Sequence, residues 1–287
     1  MVKGALVLEG GSLRCLYTGG VLDVFLEHGL EFSYVSGVSA GSMCAMNYLS
    51  RQVGRTHDIN LNYVHDKRYM SLRNMVKNRE VFNFEFLFGE LSHKLNPFDW
   101  ETFRNTDQIF EAVATRCKTG KPEYFDCTQP VEDDFVETAV SASSSMPILS
   151  HMVDVRGKKY LDGGLSMPIP YQRAMDLGYE KVVLVLTRDR DYRKKEPSRL
   201  TEKAYDRYFA PLPELREAIR QIPSRYNRMK EEIALLEAEG KIFVIRPKDP
   251  VTVGRLEHNR EKLEELYQTG RKEAIEQLPK LKEYLGI

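Results

Sequence analysis

The segment Ser33–Ala45 most constrains the fold of this chain, because a short apolar run meets a serine that stands between two glycines. The serine, Ser39, lies at the centre of the turn Gly37–Gly41. The pattern predicts a strand (Tyr34–Ser36), a sharp turn and a helix (Ala40–Arg51). Such a turn is strained at its middle residue and leaves no space for neighbouring side chains, so glycine is needed on both sides. The hydroxyl would then be exposed at the positive end of a helix.

The serine in this turn has two interpretations. It is either a nucleophile that the turn holds at the end of a strand, or one residue of a glycine-rich turn that serves only close packing. Ser39 becomes the candidate nucleophile if a proton acceptor and an oxyanion site lie beside it.

A second strand–loop–helix unit stands at the start of the chain. Ala5–Leu8 is a short apolar run bounded by glycine, which is typical of a buried parallel strand. Glu9–Arg14 forms a glycine-rich loop ahead of a helix from Cys15 to about His28, and the N–H groups of such a loop can bind an anion. A dinucleotide site is disfavoured, because Ser12 and Cys15 stand where the G-x-G-x-x-G pattern needs glycine.

These two units within the first fifty residues predict an α/β fold. Both glycine-rich strand ends should lie at the same edge of a sheet, where ligands bind in open α/β folds. A further buried strand is predicted at Lys181–Leu186.

The charge balance and the cysteine count exclude several classes of protein. Lys and Arg number 42, as do Asp and Glu, so no basic excess predicts binding to nucleic acid. The 4 cysteines include no C-x-x-C pair, which disfavours disulfides and a zinc site and fits a reducing cytoplasm. The first residues lack a signal-peptide core, and no apolar run is as long as a membrane span. We therefore expect a soluble cytoplasmic protein.

Residues 54–110 are crowded with aromatic and apolar side chains and form a predicted cap. Four basic residues precede the aromatic cluster: Arg68, Arg73, Lys77 and Arg79. One interpretation is a helical subdomain that covers the sheet. The other is a cap that lines an acyl-chain pocket or contacts lipid, because basic residues beside aromatic ones suit a membrane interface. The two interpretations are compatible.

Asp162 is the candidate partner of the serine. A predicted hairpin that ends at Leu161 delivers it to a loop, after the small-residue segment Ser141–Pro147. Asp-Gly is a common turn dipeptide, so the aspartate is either a turn former or a general base on a flexible loop. Histidine is a weaker candidate. In the order serine, acid, histidine, only His258 follows Asp162, and its surroundings are charged and typical of a surface.

The last third of the chain is strongly charged. A surface loop is predicted at Arg188–Arg199, charged helices at Tyr205–Glu239 and a strand at Lys241–Arg246. The tail Gly254–Leu285 is rich in Glu, Lys and Arg, and we interpret it as an amphipathic helical pair packed on the main domain.

Three segments together resemble the signatures of patatin-like phospholipases, in the right order: Glu9–Arg14, Gly37–Gly41 and Asp162–Gly164. The resemblance covers about residues 2–190 and is to bacterial patatin-like serine hydrolases. It implies a three-layer α/β/α fold with a mostly parallel central sheet and a helical C-terminal extension. We therefore expect a core at 1–190, with the cap at about 54–110, and a charged, mainly helical extension at 191–287 packed on that core.

The resemblance also implies a lipid acyl hydrolase of phospholipase A or esterase type. Such an enzyme uses a serine–aspartate dyad without histidine, so Ser39 would be the nucleophile and Asp162 the base. Backbone N–H groups of three residues would form the oxyanion hole: Gly10, Gly11 and Ser12. Arg14 lies beside this loop, either in a buried ion pair or as a phosphate contact. Ser12 and Cys15 depart from the glycines usual in the family and should narrow the loop.

The expected substrate is a phospholipid or another fatty-acyl ester, with peripheral membrane contact and no nucleic acid. No cofactor or metal is implied, and no acidic loop of EF-hand type predicts calcium. Two alternatives remain open at this point. One is a non-catalytic lipid-binding or regulatory protein on the same fold, and the other is a histidine-dependent esterase of the α/β-hydrolase type.

Overall fold

The structure is a computed structural model that describes residues 1–71, 81–129 and 131–287. Within these ranges eight strands form one sheet: β1 (Val2–Leu8), β2 (Phe32–Val38), β3 (Ile109–Arg116), β4 (Pro122–Asp126), β5 (Val153–Val155), β6 (Lys158–Asp162), β7 (Val182–Val185) and β8 (Ile242–Ile245). Their order is β5-β6-β3-β2-β1-β7-β8, and β4 also pairs with β3. Pairings among β3, β2, β1, β7 and β8 are parallel, and those that involve β4, β5 or β6 are antiparallel.

The helices in the described ranges are α1 (Cys15–Glu27), α2 (Ala40–Leu49), α3 (Arg55–Asn62), α4 (Phe84–Phe86), α5 (Trp100–Arg104), α6 (Asp133–Ser144), α7 (Tyr171–Asp176), α8 (Arg199–Tyr208), α9 (Pro213–Arg220), α10 (Ile222–Ala238) and α11 (Arg260–Leu285). Helix α4 continues as the segment Leu87–Leu95, which is kinked where Gly89 has non-helical backbone angles, and 3₁₀ turns form at Ser12–Arg14 and Gly163–Leu165. No helix in this part of the chain is both long and apolar enough to cross a membrane.

Alternate residues of the central strands face two helical layers. In β1, Leu6 and Leu8 belong to a core shared with α1, α2 and α11, whereas Ala5 and Val7 belong to a second core with α7 and α10. Side chains of successive residues point to opposite faces of a strand, so a strand buried on both faces reads as a continuous apolar run. The predicted three-layer α/β/α fold is confirmed.

The C-terminal region is part of these layers. Strand β8 extends the sheet beside β7, and α11 packs on α1. The prediction of a helical pair at Gly254–Leu285 is wrong, because residues Arg260–Leu285 form one helix. The boundary near residue 190 between core and extension stays a prediction.

The crossing of α1 and α11 depends on glycine. A Cβ added at Gly270 would lie 2.2 Å from the carbonyl oxygen of Tyr17, and one added at Gly20 would lie 2.3 Å from the carbonyl oxygen of Tyr267. The two backbones therefore pack closer than any side chain would permit.

We expect Gly270→Ala to lower the free energy of unfolding by about 3 kcal/mol, because overpacking against a backbone cannot relax. This loss exceeds the roughly 1 kcal/mol that alanine gains over glycine in helix propensity. Urea unfolding measures it, with Gln268→Ala on the exposed side of the same helix as control. An unchanged urea midpoint in Gly270→Ala would mean that α11 is not packed on α1 in this way.

Candidate active site

Ser39 occupies a strained turn between β2 and α2. Its φ of 55° and ψ of −131° are uncommon for any residue but glycine. A Cβ added at Gly37 would lie 2.6 Å from the Cα of Ser42, and one added at Gly41 would lie 2.6 Å from the carbonyl oxygen of Leu8. The two glycines are therefore required for the turn to fit between strand and helix.

The segment Ser141–Pro147 holds both candidate catalytic residues in place. The N–H of Ser39 donates to Oγ of Ser143 (2.9 Å), whose hydroxyl donates to the carbonyl oxygen of Val113 (2.6 Å). The N–H of Asp162 donates to the carbonyl oxygen of Ser145 (2.7 Å). The run of small residues predicts that other backbone packs closely against this segment. Nothing in the sequence predicts that Ser143 makes the contact with Ser39.

Asp162 lies at the end of β6 with 7% of its surface exposed, and it lines the same cavity as Ser39. Its Oδ1 also accepts the N–H of Gly164 (2.7 Å). Burial raises the pKa of the Asp162 carboxyl, and the Ser39 side chain and the N–H of Gly164 oppose this rise. The structure thus brings together the two residues that the sequence proposes as nucleophile and base.

The glycine-rich loop after β1 lies against the same turn. A Cβ added at Gly10 would lie 2.9 Å from the Cβ of Ser39. Within the described ranges, the N–H groups of Gly10, Gly11 and Ser12 donate to no acceptor. Unpaired donors at this place suit an anion or an oxyanion. The Ser12 side chain is used elsewhere, since its hydroxyl donates to the carbonyl oxygen of Arg255 (2.7 Å).

Arg14 is buried beside this loop, with 9% of its surface exposed. Burial and then the charge of Arg188 lower its pKa to about 10. Among the residues that the structure describes, no carboxylate pairs with Arg14 and no acceptor bonds its Nε. Of the two interpretations of Arg14, the ion pair is therefore not observed.

An apolar cavity of about 80 Å³ opens on one side of Ser39. Its wall combines α2 with the predicted cap, including helix α3 of the cap, and contains Met43, Ile59, Phe84, Phe88, Phe98 and Trp100. The aromatic residues of the cap thus line a cavity beside the serine as well as cover the sheet. Of the basic residues noted before the cluster, Arg73, Lys77 and Arg79 lie outside the described residues.

A polar cavity of about 550 Å³ opens on the other side, and Ser39 and Asp162 line it together with Arg188, Tyr192 and Lys194. The prediction of a surface loop at Arg188–Arg199 is confirmed, since the segment has no helix or strand before Arg199 and most of its residues are exposed, but it also forms one wall of this cavity. Helix α10 holds this segment inward: Lys230 donates from Nζ to the carbonyl oxygen of buried Asp189 (2.7 Å), and the N–H of Lys194 donates to Asn227 (2.8 Å). The sequence predicts the loop but does not show that it faces Ser39.

Comparison with known proteins identifies the family of the chain. The family model for "Patatin-like phospholipase" matches residues 6–175, more than half of the chain. The chain belongs to the patatin-like phospholipase family. A second model, "Domain of unknown function (DUF6363)", matches residues 212–286.

Two proteins illustrate the similarity of this patatin-like chain. It is 25% identical over 274 residues to "Uncharacterized protein YjjU" of Escherichia coli (strain K12), across 93% of this chain and 74% of the relative. It also resembles the crystal structure of VipD from Legionella pneumophila, with a TM-score of 0.50 and 13% identity over 97% of this chain and 67% of VipD. At that identity, the likeness to VipD concerns the fold alone.

The described histidines do not line the two cavities beside Ser39. All 6 histidines lie within the described ranges, and none lines either cavity. His258 is exposed, and its ring stacks on that of His65 at 6.2 Å between centroids. The position of His258 gives no support to a histidine-dependent esterase.

Proposed function

We propose that this chain cleaves the carboxylic ester of a phospholipid or another fatty-acyl ester through a Ser39–Asp162 dyad and an acyl-enzyme. Membership of the patatin-like phospholipase family supports ester hydrolysis of lipids in general. The observation that carries the finer proposal is that Ser39 and the buried carboxyl of Asp162 line one cavity, where the Ser39 side chain acts on the pKa of Asp162. It lies where an apolar cavity and a polar cavity meet.

The proposed reaction has two steps. Ser39 Oγ attacks the ester carbonyl, Asp162 accepts its proton and passes it to the leaving alcohol, and an acyl-enzyme forms. Asp162 then takes a proton from water, the hydroxyl attacks the acyl-enzyme, and the fatty acid is released with Ser39 reprotonated. Burial raises the pKa of Asp162, which makes its carboxylate a stronger base than an exposed one.

Three further features support this reaction. The N–H groups of Gly10, Gly11 and Ser12 would stabilise the oxyanion, and loss of one such donor typically costs on the order of 10²–10³ in rate. The position of Ser39 at the first turn of α2 favours negative charge there. The acyl chain would occupy the apolar cavity and the leaving alcohol the polar one.

We also propose that residues 1–190, with the cap at about 54–110, form the catalytic core of a cytoplasmic protein with peripheral membrane contact. Long acyl chains reside in bilayers, so an enzyme that binds them must reach a membrane surface. The extension at 191–287 would complete the leaving-group side, because Arg193, Lys194 and Arg255 line the polar cavity.

A fluorophosphonate probe tests the nucleophile, and we expect stoichiometric labelling of the wild-type protein that maps to the peptide containing Ser39. Ser50→Ala, at the opposite end of α2 and roughly 15 Å away, should label fully. His258→Ala should also label and should hydrolyse p-nitrophenyl butyrate at the wild-type rate. A folded protein that hydrolyses no ester and resists the probe would be a lipid-binding protein on the same fold.

A further inference from the structure

The polar cavity beside Ser39 carries a large excess of positive charge. Six basic side chains line it: Arg14, Arg188, Arg193, Lys194, Lys195 and Arg255. The lining includes only two carboxylates, Glu9 and Asp162, within the described part of the chain. Glu9 is already bound on both oxygens, since Oε1 accepts the hydroxyl of Tyr226 (2.7 Å) and Oε2 accepts the N–H of Thr187 (2.6 Å). The two carboxylates therefore offset only part of the charge of the six cations.

The same cations have no ion-pair partners. Across residues 1–71, 81–129 and 131–287, none of the six lies within 4.0 Å of a carboxylate oxygen. Arg188 donates to the carbonyl oxygen of Val251 (2.9 Å) and lies 4.4 Å from the ring centre of Tyr192. Lys194 lies 4.8 Å from the ring centre of Tyr226. Carbonyls and rings orient these cations but leave their charge uncompensated.

Four of these residues, Arg14, Arg188, Lys194 and Arg255, form a cluster that we call the cation cluster. Arg14 is its centre, because it is nine-tenths buried, lines the cavity and has no partner in the described residues. The charges of Arg188 and Arg255 both lower the pKa of Arg14, and the charge of Arg255 lowers that of Lys194, after burial in each case. Like charges so close together repel, and an anion bound between them would relieve this repulsion.

We infer that the leaving alcohol of the natural ester carries a phosphate, which the cation cluster binds while the acyl chain lies in the apolar cavity. This inference rests on the proposed function. One guanidinium group can bind two phosphate oxygens at once. Several cations around one site also suit a multivalent anion such as phosphate better than they suit a single carboxylate. The ester C–O bond breaks and water adds across it, so the products are a fatty acid and the phosphorylated alcohol with its P–O bonds intact.

The excess of positive charge also favours anionic head groups over zwitterionic ones. A choline or ethanolamine group would add a further cation to a cavity that already holds six against two carboxylates. A phosphomonoester adds about −1.5 to −2 charges and no cation. The preferred substrate is therefore an acyl ester with an anionic head group rather than a zwitterionic one.

Matched short-chain esters test this preference: 1-octanoylglycerol 3-phosphate, 1-octanoylglycerol and 1-octanoylglycerophosphocholine, all below their micellar concentrations. We expect kcat/KM for the phosphate ester to exceed that for each of the others by about 100-fold. Arg14→Gln, Arg188→Gln and Arg255→Gln should each reduce this ratio about tenfold, because a hydrogen bond to a charged group is lost. Arg188 and Arg255 are less buried than Arg14, so their variants remain informative if Arg14→Gln does not fold.

Arg190→Gln is the matched control, because Arg190 is exposed on the same segment and does not line the cavity. It removes one charge and should leave the ratio unchanged. Equal rates for the three esters, all dependent on Ser39, would overturn the inference and leave the proposed function standing.

Two further measurements separate the remaining outcomes. Inorganic phosphate, compared with chloride at equal ionic strength, should inhibit competitively. If phosphate inhibits but phosphorylated esters are not preferred, the cavity binds a free anion and the inference is wrong. If no ester is hydrolysed, the proposed function fails. In that case, calorimetry with 1-O-octylglycerol 3-phosphate against 1-O-octylglycerol still tests the cation cluster, and equal affinities would reject it.

Discussion

Replacement of Ser39 by alanine should reduce kcat for p-nitrophenyl butyrate by at least about 10⁴-fold. The reason is that the hydroxyl oxygen is the only proposed nucleophile, and the residual rate comes from the oxyanion site and binding alone. Steady-state rates and the burst of p-nitrophenol measure the effect. Because the alanine variant cannot form an acyl-enzyme, the burst should disappear together with turnover.

The same variant should remain folded. The backbone contacts of the turn do not involve the Ser39 hydroxyl, since its N–H bonds Ser143 and its carbonyl accepts the N–H of Ser42 (2.8 Å). We therefore expect its free energy of unfolding to lie within about 1 kcal/mol of the wild type. Ser50→Ala serves again as the control for activity. A Ser39→Ala protein with the wild-type rate would require another nucleophile and would end the dyad proposal.

The βα units at the start of the chain could be predicted because their signals are local. Residues Ala5–Leu8 of β1 form a continuous apolar run, and the glycines beside Ser39 and after β1 mark turns that have no space for a side chain. β4 (Pro122–Asp126) was missed, and its composition explains why. It begins with proline, and most of its residues are half-exposed, so it has no apolar run to reveal it. In the described part of the chain its one partner strand is β3.

Helix α11 shows how tertiary packing overrides local signals. Gly270 and Pro279 are both expected to end or interrupt a helix, and a proline inside a helix costs about 3 kcal/mol. Gly270 instead meets the carbonyl of Tyr17, and the burial of Leu278 and Leu281 on either side of the proline offsets its cost. The sequence shows the two helix-breaking residues. It does not show the packing against α1 that compensates for them.

Some residues of the candidate site could be predicted from the sequence, and others could not. Ser39, Asp162 and the Gly10–Ser12 loop stand in recognisable segments, so their meeting could be expected from the resemblance. The cation cluster could not, because it joins Arg14 to Arg188 and Arg255 from distant parts of the chain. Charge patterns describe one segment at a time, and only the fold shows which charged segments face each other.

Replacement of Asp162 by asparagine should reduce kcat by about 10³- to 10⁴-fold and at the same time raise the free energy of unfolding at pH 7. Activity falls because the amide cannot accept the proton of Ser39. Stability rises because the amide carries no charge to bury, while its oxygen still accepts the N–H of Gly164 and its NH₂ group can donate to Ser39 Oγ. Asp107→Asn, at an exposed aspartate, is the matched control and should change neither quantity.

The pH dependence of the free energy of unfolding shows whether the fold raises or lowers the pKa of Asp162. Burial raises the pKa of Asp162 in the folded state above its unfolded value of about 3.9, so the folded protein binds the proton more tightly. The contribution of Asp162 to stability is therefore greatest below the unfolded pKa and is lost as the pH rises through the folded pKa. Urea unfolding should show the advantage of Asp162→Asn growing from pH 4 to pH 7. An advantage that shrinks over this range would mean that Ser39 and the N–H of Gly164, together with the charges of Arg255 and Lys194, outweigh burial. The pKa of Asp162 would then be lowered, and its carboxylate would be too weak a base to activate a serine.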